Sequence, residues 1–166
     1  CLSANNNFVQ ENYDRAEYMI PMWDGIKLYT QVYTPKDISP TNKYPILMDR
    51  TPYSVGKYKL DEYPSRLGPS DLITEEKYIV IRQDVRGKFK SEGVWVHHIV
   101  HIDEKSPGDV DESTDAYDTI DWLINNIPNN NGKVGLWGIC YGGWEVAMGM
   151  MEAHPALKAA APMCSP

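Results

Sequence analysis

No apolar stretch in the 166-residue chain approaches the ~20 residues that a bilayer-spanning helix requires. Basic runs are missing too. The 16 Lys and Arg stand against 23 Asp and Glu, a net charge of −7, with no patch that would track phosphates. Nucleic acid is therefore not an expected partner. Three cysteines, Cys1, Cys140 and Cys164, are too few and too scattered for a disulfide framework or a Cys-x-x-Cys zinc site. No internal repeat is present, and nothing calls for a cofactor. Hydrophobic residues still make up 42% of the chain and charged residues 23%, enough for a core and one domain. The first residue is Cys, not Met. Cys1-Leu2-Ser3 with the polar Ala4-Asn5-Asn6-Asn7 fits the lipidated anchor of a bacterial lipoprotein, and fits equally a boundary behind a removed signal peptide. Both imply export, the first with membrane attachment through a lipidated Cys1.

Residues 1 to about 15 are polar and read as a tether, with residues 16–166 as the folded part. Tyr18–Met22 and Lys27–Thr34 flank Trp23-Asp24-Gly25 and predict a β-hairpin. Tyr44–Met48 and Tyr78–Ile81 are short apolar runs, the second apolar on both faces, as a sandwiched parallel strand should be. No firm element is expected between Gly93 and Gly108. Asp111-Glu112-Ser113-Thr114-Asp115 puts acids and hydroxyls where a helix start leaves N–H groups free. Ala116, Ile120, Leu123, Ile124 and Ile127 then recur at the spacing of one buried helix face, ended by Pro128 and the Asn129–Gly132 run. A strand over Lys133–Trp137, a helix reaching Ala153 and a strand over Leu157–Ala161 complete the pattern. A hairpin followed by alternating strands and helices predicts an α/β fold. Its sheet is mostly parallel, with helices on both faces and an antiparallel N-terminal hairpin.

Between that last predicted helix and the strand before it lies Gly138-Ile139-Cys140-Tyr141-Gly142-Gly143. G-x-C-x-G matches the nucleophile elbow, where one side chain stands at the apex of a tight turn. The apex holds a strained backbone, so its neighbours must be small, as Gly138 and Gly142 are. The following helix aims its first N–H groups at the apex, which favours an anion there. The Tyr141 N–H is placed to join an oxyanion hole. A lone cysteine is ordinarily a small buried hydrophobe. The flanking strand, glycines and helix argue instead for a nucleophile at Cys140.

From about Met19 to Pro166 the chain resembles the family of X-Pro dipeptidyl-peptidases, cocaine esterase, α-amino-acid ester hydrolases and glutaryl-7-aminocephalosporanic acid acylases. Four blocks carry the resemblance in order: Asp49–Tyr53, Gln83–Phe89 with Ser91–Gly93, Asp111–Leu123, and Asn131–Ile139 with His154–Lys158. The acylase and amino-ester hydrolase branch is the most similar. The resemblance implies the first portion of an α/β-hydrolase catalytic domain. It puts Cys140 at the nucleophile position, usually Ser, and matches Tyr53 to the tyrosine whose hydroxyl joins the Tyr141 N–H in the oxyanion hole. It implies an ester, amide or short-peptide substrate. A thiolate is a competent replacement, and dienelactone hydrolases use Cys in a similar elbow. Family members are several times longer. Their catalytic Asp and His, helical cap and jelly-roll lie beyond the point that matches Pro166.

The remaining reactive residues read as structural. His97, His98 and His101 lie in an irregular stretch upstream of the elbow, whereas this fold supplies its His last. His154 reads as a cap before Pro155. Asp84 and Arg86 read as braces for loops under the site, and Asp115, Asp118 and Asp121 as a solvated helix face. The expected function is acyl-transfer hydrolysis. Its rivals are a catalytically incomplete piece that associates with the remainder of the enzyme or with itself, and a non-enzymatic binding module on the same fold.

Overall fold

The computed structural model describes residues 7–56 and 58–166. In chain order the elements are α1 (Phe8–Asn12), β1 (Tyr13–Pro21), β2 (Lys27–Pro35), β3 (Tyr44–Thr51), α2 (Asp71–Glu75), β4 (Ile79–Asp84), α3 (Glu112–Asn126), β5 (Asn130–Ile139), α4 (Tyr141–Gly149) and β6 (Leu157–Met163). The strands form one six-stranded sheet in the order β1-β2-β4-β3-β5-β6. β1 pairs antiparallel with β2, and β2 with β4. β4, β3, β5 and β6 run parallel.

Alternation along the strands sorts two cores. Leu28 and Val32 of β2, Ile46 and Met48 of β3, Ile79 and Ile81 of β4, and Val134 and Leu136 of β5 share one cluster with Ile120 and Leu123 of α3, Ile127 just after it and Val146 of α4. Removing that much apolar surface from water is the main force holding α3 and α4 to the sheet. The opposite face buries Tyr33 and Val80 against Val9 and Tyr13. Residues reaching back from α2 close this second face. The Tyr13 hydroxyl donates to the Thr74 carbonyl at 2.8 Å, and Thr74 Oγ1 donates to the Leu67 carbonyl at 2.7 Å. Helices thus cover both faces, as the strand and helix order predicts.

Three expectations change. Residues 8–15 are not a tether: α1 docks through buried Val9, and β1 begins at buried Tyr13. Polar composition concealed two apolar anchors among solvated neighbours. The rest of the tether, residues 1–6 with Cys1, lies outside the described residues. The elbow helix stops at Gly149, four residues before Ala153, and the chain then turns to His154. There the His154 Nδ1 accepts the Ala156 N–H at 3.0 Å, fastening the turn before β6 rather than capping α4, whose C-cap is Met150. Finally, Asp115 is not solvated. It is buried, while Asp121 on the same helix is exposed and Asp118 lies between. The helix rotates Asp115 towards two arginines, described below. Among the described residues, no helix is long and apolar enough to cross a membrane.

Candidate active site

Cys140 stands between β5 and α4 with φ 58° and ψ −120°, a conformation that L side chains rarely adopt. The turn holds it there from two sides. Its N–H donates to the Met163 carbonyl of β6 at 2.9 Å, and its carbonyl accepts the Trp144 N–H at 3.1 Å. That second bond is the first rung of α4. The N–H groups of Tyr141, Gly142 and Gly143 therefore precede the ladder, and no side-chain cap at Cys140 takes one. They remain open to an anion at the apex. The thiol itself is exposed.

The glycines divide differently from expectation. A Cβ on Gly138 would overlap the Gly142 carbonyl, and one on Gly143 would meet the Met163 oxygen at 2.5 Å. A Cβ on Gly142 would meet nothing closer than 3.6 Å. The close approach is thus between α4 and β6 at Gly143, not at Gly142. The third glycine of the motif was its only trace in the sequence.

Tyr53 lies one turn beyond β3. Its N–H donates to Thr51 Oγ1 at 3.1 Å, and Ser54 follows with φ 86°. The ring meets that of Tyr141 edge-on at 6.2 Å. The phenol titrates above its ordinary value through desolvation first, then through the charge and hydrogen bonding of the Cys140 sulfur. The structure therefore brings Tyr53, Cys140 and Tyr141 together at one end of the sheet.

The Tyr141 side chain is buried under residues 95–98. Its hydroxyl accepts the His98 N–H at 2.8 Å, and the His98 ring stacks on it at 4.5 Å. Trp144 lies 4.6 Å from His98, and Trp95 lies 5.5 Å from Tyr141. Burial pushes the Tyr141 phenol up to about 12, against the His98 hydrogen bond. His97 and His98 thus act as aromatic cover. His101 has a more suggestive setting, with Nδ1 3.1 Å from Ser113 Oγ and 3.4 Å from Asp111 Oδ2. Yet Ser113 is buried and donates to Asp111, whose other duty is to cap α3 through the Thr114 N–H. The trio is a helix cap. No group of three His, Cys, Asp or Glu suited to a metal occurs among the described residues.

Beneath the apex lies a charged cluster that the sequence did not reveal. Arg50, at the end of β3, donates to Gln83 Oε1 at 3.0 Å, to the Glu112 carbonyl at 3.0 Å, to Glu112 Oε2 at 3.1 Å and to Glu145 Oε2 at 3.2 Å. It thereby ties β3 to β4, α3 and α4. Burial, with the charge of Glu112, pushes the Glu145 carboxyl well above its ordinary range. Arg86 bridges Asp24 at 2.7 Å and Asp115 at 2.7 Å. Asp84 accepts the Val55 N–H at 2.9 Å and the Tyr58 hydroxyl at 3.1 Å. Asp84 and Arg86 are braces, as their sequence positions suggest.

A family model described as X-Pro dipeptidyl-peptidase (S15 family) matches residues 24–166. Cocaine esterase from Rhodococcus sp. (strain MB1 Bresler) is 32% identical over 158 residues, 93% of this chain and 24% of its own length. An aminopeptidase from the marine sediment archaeon Thaumarchaeota archaeon superposes with TM-score 0.83 at 37% identity, over 100% of this chain and 27% of its own. An α-amino acid ester hydrolase superposes with TM-score 0.80 at 38% identity, over 100% of this chain and 27% of its own. The chain spans about a quarter of the length of these relatives. With its elbow, its sheet order and a family match over residues 24–166, the chain belongs to the X-Pro dipeptidyl-peptidase (S15) family, on the α/β-hydrolase fold.

Proposed function

We propose that the chain carries the nucleophile and oxyanion hole of a hydrolase for ester or amide bonds, with a small acyl ester, acyl amide or short peptide as substrate. The observation that carries this reading is the left-handed Cys140 at a strand–helix apex with Tyr53 against it. The Cys140 sulfur attacks the substrate carbonyl and forms a tetrahedral adduct on the way to a thioester. The carbonyl oxygen, now anionic, takes hydrogen bonds from the Tyr53 hydroxyl and the Tyr141 N–H. Collapse expels the alcohol or amine, and water then releases the acid. Such a cycle needs a base for the thiol and for the water. Among the described residues, no histidine contacts Cys140 in the way a base would.

A specific observation favours a second reading of the same chemistry. With no histidine placed as a base against Cys140 among the described residues, we infer that the 166 residues acylate without turning over. A binding module without chemistry is disfavoured by the exposed thiol at the apex.

An activated aryl ester tests both. The expected result is one acyl group per chain on Cys140, found by mass spectrometry and absent from Cys140→Ala. Catalytic release of acid would overturn the incomplete reading and keep the hydrolase. Failure of the ester to label Cys140 would overturn the nucleophile assignment.

A further inference from the structure

We propose that Cys164 is a resolving cysteine, which closes a reversible disulfide with Cys140 when that thiol is oxidised. Both thiols are free and exposed. They occupy equivalent places one residue beyond the ends of neighbouring strands. β5 and β6 pair in parallel as far as Ile139 and Met163, and the next residue on each is a cysteine. The Cys140 N–H bond to the Met163 carbonyl, 2.9 Å, carries the pairing through to this level. Neighbouring strands lie about 4.8 Å apart. That spacing falls inside the roughly 4.4–6.8 Å that disulfide-bonded Cα atoms span. Each cysteine also leaves its strand in the left-handed conformation, with φ 58° at Cys140 and 47° at Cys164. Both chains therefore turn out of the ladder at one level, where solvent and oxidant reach them.

The oxidant is a peroxide. The Cys140 sulfur attacks one peroxide oxygen, the O–O bond breaks, and Cys140 becomes a sulfenic acid as the first water leaves. The Cys164 sulfur then attacks the Cys140 sulfur. The S–O bond breaks, and the hydroxyl departs with the Cys164 proton as a second water. Two thiols lose two protons and two electrons, and hydrogen peroxide becomes two waters. The bond withdraws Cys140 from acyl chemistry until a thiol reduces it. It also keeps Cys140 off the path to sulfinic acid, which thiols do not reverse. Only the loss of acyl chemistry rests on the proposed nucleophile; the disulfide does not.

The test exposes the reduced 166-residue protein to hydrogen peroxide under native conditions, alkylates it, and digests it without reduction. The expected product is a cross-linked pair of peptides containing residues 140 and 164, two hydrogens lighter than the separate thiols and restored by dithiothreitol. The cross-link survives Cys1→Ser. In Cys164→Ser and Cys164→Ala, Cys140 proceeds to sulfinic acid, and at least about tenfold less thiol returns after dithiothreitol. Folding of each variant is checked by circular dichroism. A bond from Cys140 to Cys1 or to a second molecule would overturn the proposal. So would equal recovery of Cys140 with and without Cys164. A cross-link in protein that no activated ester labels would leave the disulfide standing and remove the acyl-transfer reading.

Discussion

Tyr53 reaches Cys140 from an irregular loop, and small polar contacts set where it points. Its own N–H binds Thr51 Oγ1, the Gly56 N–H binds Ser54 Oγ at 3.0 Å, and the Val55 N–H binds Asp84. Removing the hydroxyl leaves these untouched. Tyr53→Phe is therefore expected to slow acylation of Cys140 by about 10²-fold without changing the fold, because the proposed oxyanion donor is lost. Burst kinetics with an activated ester, beside a thermal melt, check this; an unchanged rate would remove Tyr53 from the oxyanion hole. Asp49 makes the opposite case, a charge held at a loss. It is buried beside Arg82 at 3.8 Å, and burial pushes its carboxyl from 3.8 up to about 6 against the pull of Arg82. A raised carboxylate pKa means that the folded state holds the proton more tightly. The penalty is absent below about pH 4, grows from there to about pH 6, and is complete above. Asp49→Asn should accordingly raise stability to urea near neutral pH by up to about 3 kcal/mol. The gain should vanish below about pH 4. A variant less stable than the parent near neutral pH would contradict this.

The elbow and the start of α3 show how short segments carry local geometry. At the elbow, Gly143 faces the Met163 oxygen at 2.5 Å, while Gly142 has ordinary room. Gly143→Ala must push α4 from β6 and is expected to cost more than about 2 kcal/mol. Gly142→Ala, in a helix and unclashed, is expected to change stability by less than about 1 kcal/mol. Urea melts of the two variants compare them directly, and equal effects would show that the α4–β6 approach is looser than described. At α3, Asp111 accepts the Thr114 N–H at 3.0 Å and Thr114 Oγ1 accepts the Asp111 N–H at 3.1 Å, a reciprocal capping box. Although burial alone would raise it, hydrogen bonds led by Ser113 hold the Asp111 carboxyl down at about 2. A depressed pKa gives stability that is whole above about pH 4 and lost as pH falls through about 2. Asp111→Ala should cost about 1–2 kcal/mol at neutral pH, a difference that closes between about pH 4 and pH 2. A pH series of urea melts measures it. This cap was legible in the order of acids and hydroxyls. The Gly143 requirement was not, because it depends on a strand 14 residues further along the chain.

The whole molecule is drawn together beneath the site by one guanidinium. Arg50 meets Gln83, Glu112 and Glu145, and Gln83 Nε2 passes the connection to Thr30 and Thr119, each at 3.0 Å. Strands β2, β3 and β4 and two helices share this buried network, so its members are not interchangeable. Arg50→Met leaves buried acids unpaired and is expected to cost about 3–5 kcal/mol. Glu145→Gln keeps an acceptor for Arg50 and replaces a carboxyl that burial already drives towards its neutral form. It should change stability by less than about 1 kcal/mol. Denaturant melts of both variants give the comparison, and a Glu145→Gln loss as large as that of Arg50→Met would show that the pair depends on the Glu145 charge. None of this was visible in the linear chain. The sequence by itself determined the hairpin, the order of the strands with α3 and α4, the α3 cap and the position of the elbow. Each of those depends on periodicity, glycine placement or side chains within a few residues. Only the tertiary structure decided that Asp115 turns inward, that residues 8–15 dock on the sheet, and that Arg50 binds two helices. It also decided that Cys164 lies beside Cys140. Those outcomes rest on which distant groups share a buried, low-dielectric space, where each charge or apolar group must find a partner from another part of the chain.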